Sequence, residues 1–210
     1  MASKMKIGKT FVSAILAGMA ISFGGVVFLS LENKVLGSLF FTVGLFMVCT
    51  FGLNLFTGKV CYFFQNDLAF RLNLIVIWLG NLVGTLIVGN MVRLSRIAGI
   101  AERAASMCAV KTGDSMVSLF ILGILCDIFI YVGVESYRSN PHETGKYLGL
   151  FFGVMVFILC GYEHCVADMF YFTVADAWSA QAVVCLLVIT AGNAAGGVFF
   201  PLVRGFLAKE

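Results

Sequence analysis

His164 is one of two histidines in the chain and lies in G-Y-E-H-C-V-A-D at 161–168, behind sixteen residues, Tyr147 to Tyr162, that carry no charge. An ionisable side chain in such surroundings is costly and marks a functional site by default. Imidazole titrates near neutral pH, so His164 can donate a hydrogen bond to an anion or pass a proton to it. Glu163 cannot stand charged and alone there. Protonation, a lysine or the backbone amides of a broken segment must satisfy it, and it is read as structural support. Asp127, Asp168 and Lys59 also fall within apolar stretches. A charge pair offsets part of the cost of two charges in low dielectric, so Lys59 is expected to pair with one of the two aspartates. The seven cysteines include no C-x-x-C pair, so neither a metal site nor a disulfide framework is indicated. They read as small apolar filler.

The elements that hold these residues follow from composition. The chain is 60% apolar and 12% charged, with a mean hydropathy of +1.00. A soluble domain carries about 25% charge, so a soluble enzyme, a disordered chain and a disulfide-stapled module are all disfavoured. The net charge is +3 with scattered bases, which gives no footprint for nucleic acid. Charged residues bound long intervals: 22 residues between Lys9 and Glu32, 24 between Lys34 and Lys59, 21 between Arg71 and Arg93, 20 between Asp114 and Glu135 around Asp127, and 27 between Asp176 and Arg204. A membrane helix needs about 20 apolar residues, and its backbone must bond to itself. Six spans are therefore expected at about 10–31, 36–64, 68–92, 115–136, 146–175 and 179–203. With both termini inside, nine bases face the cytoplasm (Lys4, Lys6, Lys9, Lys59, Arg71, Arg138, Lys146, Arg204 and Lys209) and five face outward (Lys34, Arg93, Arg96, Arg103 and Lys111). The positive-inside rule favours that orientation in the cell membrane, although four bases of the 93–114 loop oppose it.

Internal matches suggest two halves. Val12, Ser13 and Gly18 map onto Val117, Ser118 and Gly123, 105 positions on, and Gly80–Gly84 (G-N-L-V-G) onto Gly192–Gly196 (G-N-A-A-G), 112 positions on. Three spans per half is odd, so the second half enters the membrane upside down. The fold class is an all-α integral membrane protein with six transmembrane helices in an inverted 3+3 repeat. The halves are about 9–92 and 111–205 of one channel domain, joined by a surface connector at 93–110. The second and fifth spans are too long for one straight crossing. Each carries an interruption, F-G-L-N-L-F-T-G-K at 51–59 and C-G-Y-E-H-C-V-A-D at 160–168, aligned with Gly52 on Gly161. Paired interruptions in matching spans point to a transport site.

G-x-x-L-F-T-G at 52–58, W-L-G-N-L-V-G at 78–84 and G-Y-E-H-x-V-A-D at 161–168, with K-T-F at 9–11 and A-G-M-A-I-S at 17–22, resemble the signature segments of formate/nitrite transporters. The resemblance runs from Lys9 to Gly205. It implies a homopentamer of six-helix, aquaporin-like protomers in a lipid bilayer. Each protomer would have a narrow pore for small monovalent anions: formate, nitrite, hydrosulfide and, in some members, lactate. An aquaporin itself is disfavoured, because Pro141 and Pro201 are the only prolines and no N-P-A motif exists. The resemblance places His164 at the pore centre, Thr57 as its hydrogen-bonding pore threonine, and Leu55 and Phe56 at narrowing positions, with Leu53 in the same barrier. Apolar constrictions exclude hydrated ions by dewetting, so a neutral acid passes better than its anion, and passage couples to protons. Lys9 and Lys111 stand before spans one and four, match the family's vestibule lysines, and would concentrate anions. Asp127 and Asp168 replace the usual Asn, and Lys59 an uncharged residue or His, which bears on selectivity. No cofactor and no catalysis are expected. A membrane redox protein and a structural membrane protein without flux are the competing classes.

Overall fold

The computed structural model describes residues 2–208, with side chains from residue 7. The side chains of Lys4, Lys6 and Lys209, which entered the charge tally, lie outside the described residues. Among the described residues the chain forms α1 (Ala2–Ser30), α2 (Lys34–Thr50), α3 (Phe56–Val60), a 3-10 turn (Phe63–Gln65), α4 (Leu68–Arg93), α5 (Ile100–Gly113), α6 (Met116–Ser139), α7 (Glu143–Cys160), α8 (Cys165–Val174) and α9 (Ala180–Leu207). Helices α1, α4, α6, α7 and α9 are long and apolar enough to cross a membrane. Two interrupted rods, α2 with α3 and α7 with α8, occupy the second and fifth expected spans.

Helix starts follow from local chemistry. The side chains of Asn33, Asp67, Ser115 and Ser179 accept from backbone N–H groups in the first turns of α2, α4, α6 and α9. Each such cap is worth about 1 kcal/mol. Lipid supplies no hydrophobic drive between helices, so close backbone approach through small residues holds the bundle. A Cβ on Gly84 would collide with the Ile15 carbonyl, and one on Gly196 with the Ile124 carbonyl. These contacts lock α1 to α4 and α6 to α9, two of the most extensive pairings in the molecule. Crossing contacts knit the halves together: α2 packs on α7, α8 on α4 and α3 on α9.

The contacts fix how the halves correspond. Asn81 reaches Ala14 as Asn193 reaches Gly123, and Gly84 meets Ile15 as Gly196 meets Ile124. In α1 and α6 the matching residues are thus 109 positions apart, not the 105 read from the V-S strings. The difference is about one helical turn, which returns the same face to the partner and leaves short string matches ambiguous. The 112-residue spacing of the glycine motifs holds. Residues 94–110, read as a surface connector, contribute most of α5, which packs on α8 and buries Ala104 and Cys108.

Candidate functional site

Both broken rods stop in the same way. Gly52 and Gly161 take positive φ, 62° and 72°, the left-handed conformation that glycine adopts without a steric penalty. Behind each, an N–H folds back onto the helix: Leu53 to the Val48 carbonyl and Tyr162 to the Phe157 carbonyl, both at 2.9 Å. These bonds satisfy carbonyls that a helix end leaves open. The short helices then begin beneath an asparagine borrowed from a distant span. Asn81 Oδ1 accepts from the Phe56 N–H (2.8 Å), and its amide donates to the carbonyls of Ala14 (2.8 Å) and Asn54 (2.9 Å). Asn193 Oδ1 accepts from the Cys165 N–H (2.9 Å), and its amide donates to Gly123 and Glu163, both at 2.8 Å. Sequence reasoning read G-N-x-x-G as a repeat match and a family signature, and gave its asparagine no role. The signal left unused is that the residue recurring between the glycines is a polar amide inside an apolar span.

These brackets bring His164 and Thr57 together. His164 lies just before α8 and Thr57 in the first turn of α3, with Oγ1 and Nε2 2.9 Å apart. His164 Nδ1 accepts from the Ala167 N–H at 3.1 Å, capping α8. An accepting Nδ1 puts the proton of the neutral ring on Nε2, so Nε2–H donates to the Thr57 hydroxyl. The Thr57 proton is then free to turn elsewhere. The ring stacks on Phe157 with centroids 5.6 Å apart, and Phe157 meets Phe41 edge-on at 6.0 Å. Neither phenylalanine stood out in the sequence, where twenty-one of them dilute the signal.

Two cavities approach this pair. One, of about 1060 Å³, is lined by Leu53, Leu55, Gly58, Lys59, Tyr62 and Arg138 among others. The second, of about 360 Å³, is lined by Lys111, Glu163, Asp168, Phe157 and His164 itself. Leu55 is buried, and Leu53 partly so. Phe56 does not face the larger cavity; it lines an apolar groove between α4 and α9. Lys9 is exposed on α1 and lines a shallow hollow that shares Leu53.

Glu163 takes a lysine partner, one of the expected means of satisfying it, whereas Lys59 does not pair as expected. Lys111, 6% exposed, bonds Glu163 and lies 2.9 Å from Asp168 Oδ1. Burial works against its charge, but Asp168 and Glu163 together outweigh it and hold the Lys111 ammonium above the usual lysine range. The expected pair of Lys59 with Asp168 or Asp127 is absent among the described residues. Lys59 and Asp168 are equivalent positions on α3 and α8, and equivalence sends them to opposite cavities rather than to each other. Asp127 is fully buried on α6 with neither oxygen bonded. It abuts Gly197, where a side chain would strike it.

Comparison with known proteins agrees with this architecture. Residues 2–206 match the family described as formate/nitrite transporter. A formate channel, FocA, of Haemophilus influenzae is 28% identical over 77% of this chain and 64% of its own length. A probable formate transporter of Methanothermobacter thermautotrophicus is 27% identical over 94% of this chain and 87% of its own. The chain thus spans just under two thirds of the first and most of the second. A solved pentameric formate channel with formate bound superposes with a TM-score of 0.83 at 24% identity, covering 98% of both chains.

Proposed function

The chain belongs to the formate/nitrite transporter family, and from that premise we propose that it passes small monovalent anions of weak acids (formate, nitrite or hydrosulfide) through one narrow pore per protomer of a homopentamer. The observation that carries this reading is the Thr57–His164 hydrogen bond at the meeting of two broken rods, with His164 lining one cavity and Leu55 and Gly58, on either side of Thr57 in the chain, lining the other. The solved formate channel's pentameric state supports five subunits, and the sequence charge bias supports cytoplasmic termini in the cell membrane.

In this reading an anion gathers in a cavity, and the apolar stretch at Leu53 and Leu55 strips it of water. A bare charge there is costly, whereas the protonated acid is not. The acid meets the Thr57 hydroxyl, which has a proton to donate because His164 Nε2–H already fills one of its acceptor positions. His164 Nδ1 is committed to the Ala167 N–H, so the ring presents one nitrogen to the passage. That nitrogen orients the Thr57 donor and can exchange a proton with it. Lys111 enters as a cation shared between two carboxylates. Lys9 is an exposed collector near Leu53. Phe56 supports α3 from outside the conduit.

Proteoliposome flux of formate, nitrite and hydrosulfide, compared from pH 5 to pH 8, tests the reading. Flux per added anion should rise as the neutral-acid fraction grows, by about tenfold for each pH unit lowered while the pH stays above the acid's own pKa. Flux that ignores pH, or none of the three anions crossing, would refute it.

A further inference from the structure

The two cavities differ in the state of their cations. In the smaller one each cation is engaged. Lys111 is held by Glu163 and Asp168, Lys34 donates to the Leu159 carbonyl at 3.0 Å, and Arg103 donates to the carbonyls of Leu29 and Leu31. In the larger one the lining carboxylate, Glu135, is already taken: the Tyr62 hydroxyl donates to it at 2.7 Å and Arg204 at 3.1 Å. Arg204 also donates to the Tyr131 hydroxyl at 2.9 Å. Arg138 lies over the Tyr62 ring, 4.9 Å from its centroid. Lys59 remains. It is half-buried on α3, two residues after Thr57, with no carboxylate within ion-pair distance among the described residues. Arg138 and Lys59 line the same cavity and repel each other.

We propose that Lys59, with Arg138 on the same lining, forms a docking site for a small carboxylate or similar monovalent oxyanion in the larger cavity, so that this mouth loads substrate more tightly than the other. A partly desolvated ammonium without a counter-ion gains most from an anion, and an anion between two cations relieves their repulsion. Leu53 and Leu55 line the same cavity, so the docked anion waits beside the dry stretch. The Lys111 mouth offers no equivalent, because its own carboxylates compete for the ammonium. The lysine predicted for this side from the sequence, Lys9, is exposed and more strongly screened.

The inference rests on the proposed passage of small anions, so its test pairs flux with binding. Formate binding to the solubilised pentamer is followed by saturation-transfer NMR, and flux is measured from each face of oriented proteoliposomes. In Lys59→Met, the half-saturating formate concentration from the larger-cavity face should rise about tenfold, with the other face unchanged. Lys59→Arg should stay near wild type. Equal shifts from both faces, or none, would overturn the site. Formate binding that depends on Lys59 in a protein that conducts nothing would uphold the site and sink the passage reading. A wild-type measurement covers a variant that fails to assemble: formate should slow acetylation of the Lys59 amine relative to a bulky anion at equal ionic strength. Unaltered acetylation would overturn the proposal.

Discussion

Asp127 is the most exposed to mutational improvement of all the buried polar residues. Its two oxygens have no partner and no solvent, and one of them fills the space that a side chain on Gly197 would take. An unsatisfied buried polar group costs about 1–3 kcal/mol, more when charged. Asp127→Asn keeps the shape and cannot ionise, so the protein's thermal midpoint should rise; a fall would mean that Asp127 holds a partner through solvent. Cys108 makes a second case. Burial, reinforced by Asp168, pushes its thiol up to about 12, with Lys111 pulling the other way. The reactive form is the thiolate. Below that pH the thiol stays protonated, so maleimide at pH 7–8 should leave Cys108 unmodified in the folded protein and alkylate it after denaturation. Mass spectrometry of the tryptic peptide reads the difference.

At the level of helices, the broken rods depend on two devices of unequal strength. Gly161 needs only its left-handed backbone, which an L residue adopts at a cost of about 1–2 kcal/mol. Asn193 satisfies three buried backbone groups at once, and each orphaned group costs about 1–3 kcal/mol. Asn193→Ala should therefore lower the thermal midpoint and assembled yield well beyond Gly161→Ala. The reverse order would show that the glycine turn, not the amide bracket, sets the position of His164. The turns were legible in the sequence, because a glycine interrupting each overlong apolar run has few other meanings. The brackets were not legible, because an asparagine between two glycines reads as a gap in a packing stripe until its partners are known. The same blindness produced the Lys59–Asp168 pair. The repeat correctly matched the two positions, but residues related by a two-fold axis share an environment without sharing a contact.

For the whole molecule, six crossings followed from charge spacing and hydropathy, and the two interruptions from the glycine in each overlong run. These signals are strong because the hydrocarbon core fixes helix length and forbids open backbone. Where a side chain points within the bundle left a weaker trace. Phe56 faces the outer groove, while Phe157 stacks on His164 and Phe41 packs behind Phe157. In a chain so rich in phenylalanine, sequence position alone does not separate pore, core and lipid contacts. The assembled picture is two cavities whose cations differ in how they are paired, with a threonine–histidine pair close to both. The most direct check is stopped-flow formate flux in proteoliposomes carrying His164→Phe, with size-exclusion chromatography verifying the assembled oligomer. Flux at the level of empty liposomes is the expected result. Wild-type flux through an intact His164→Phe assembly would contradict the account.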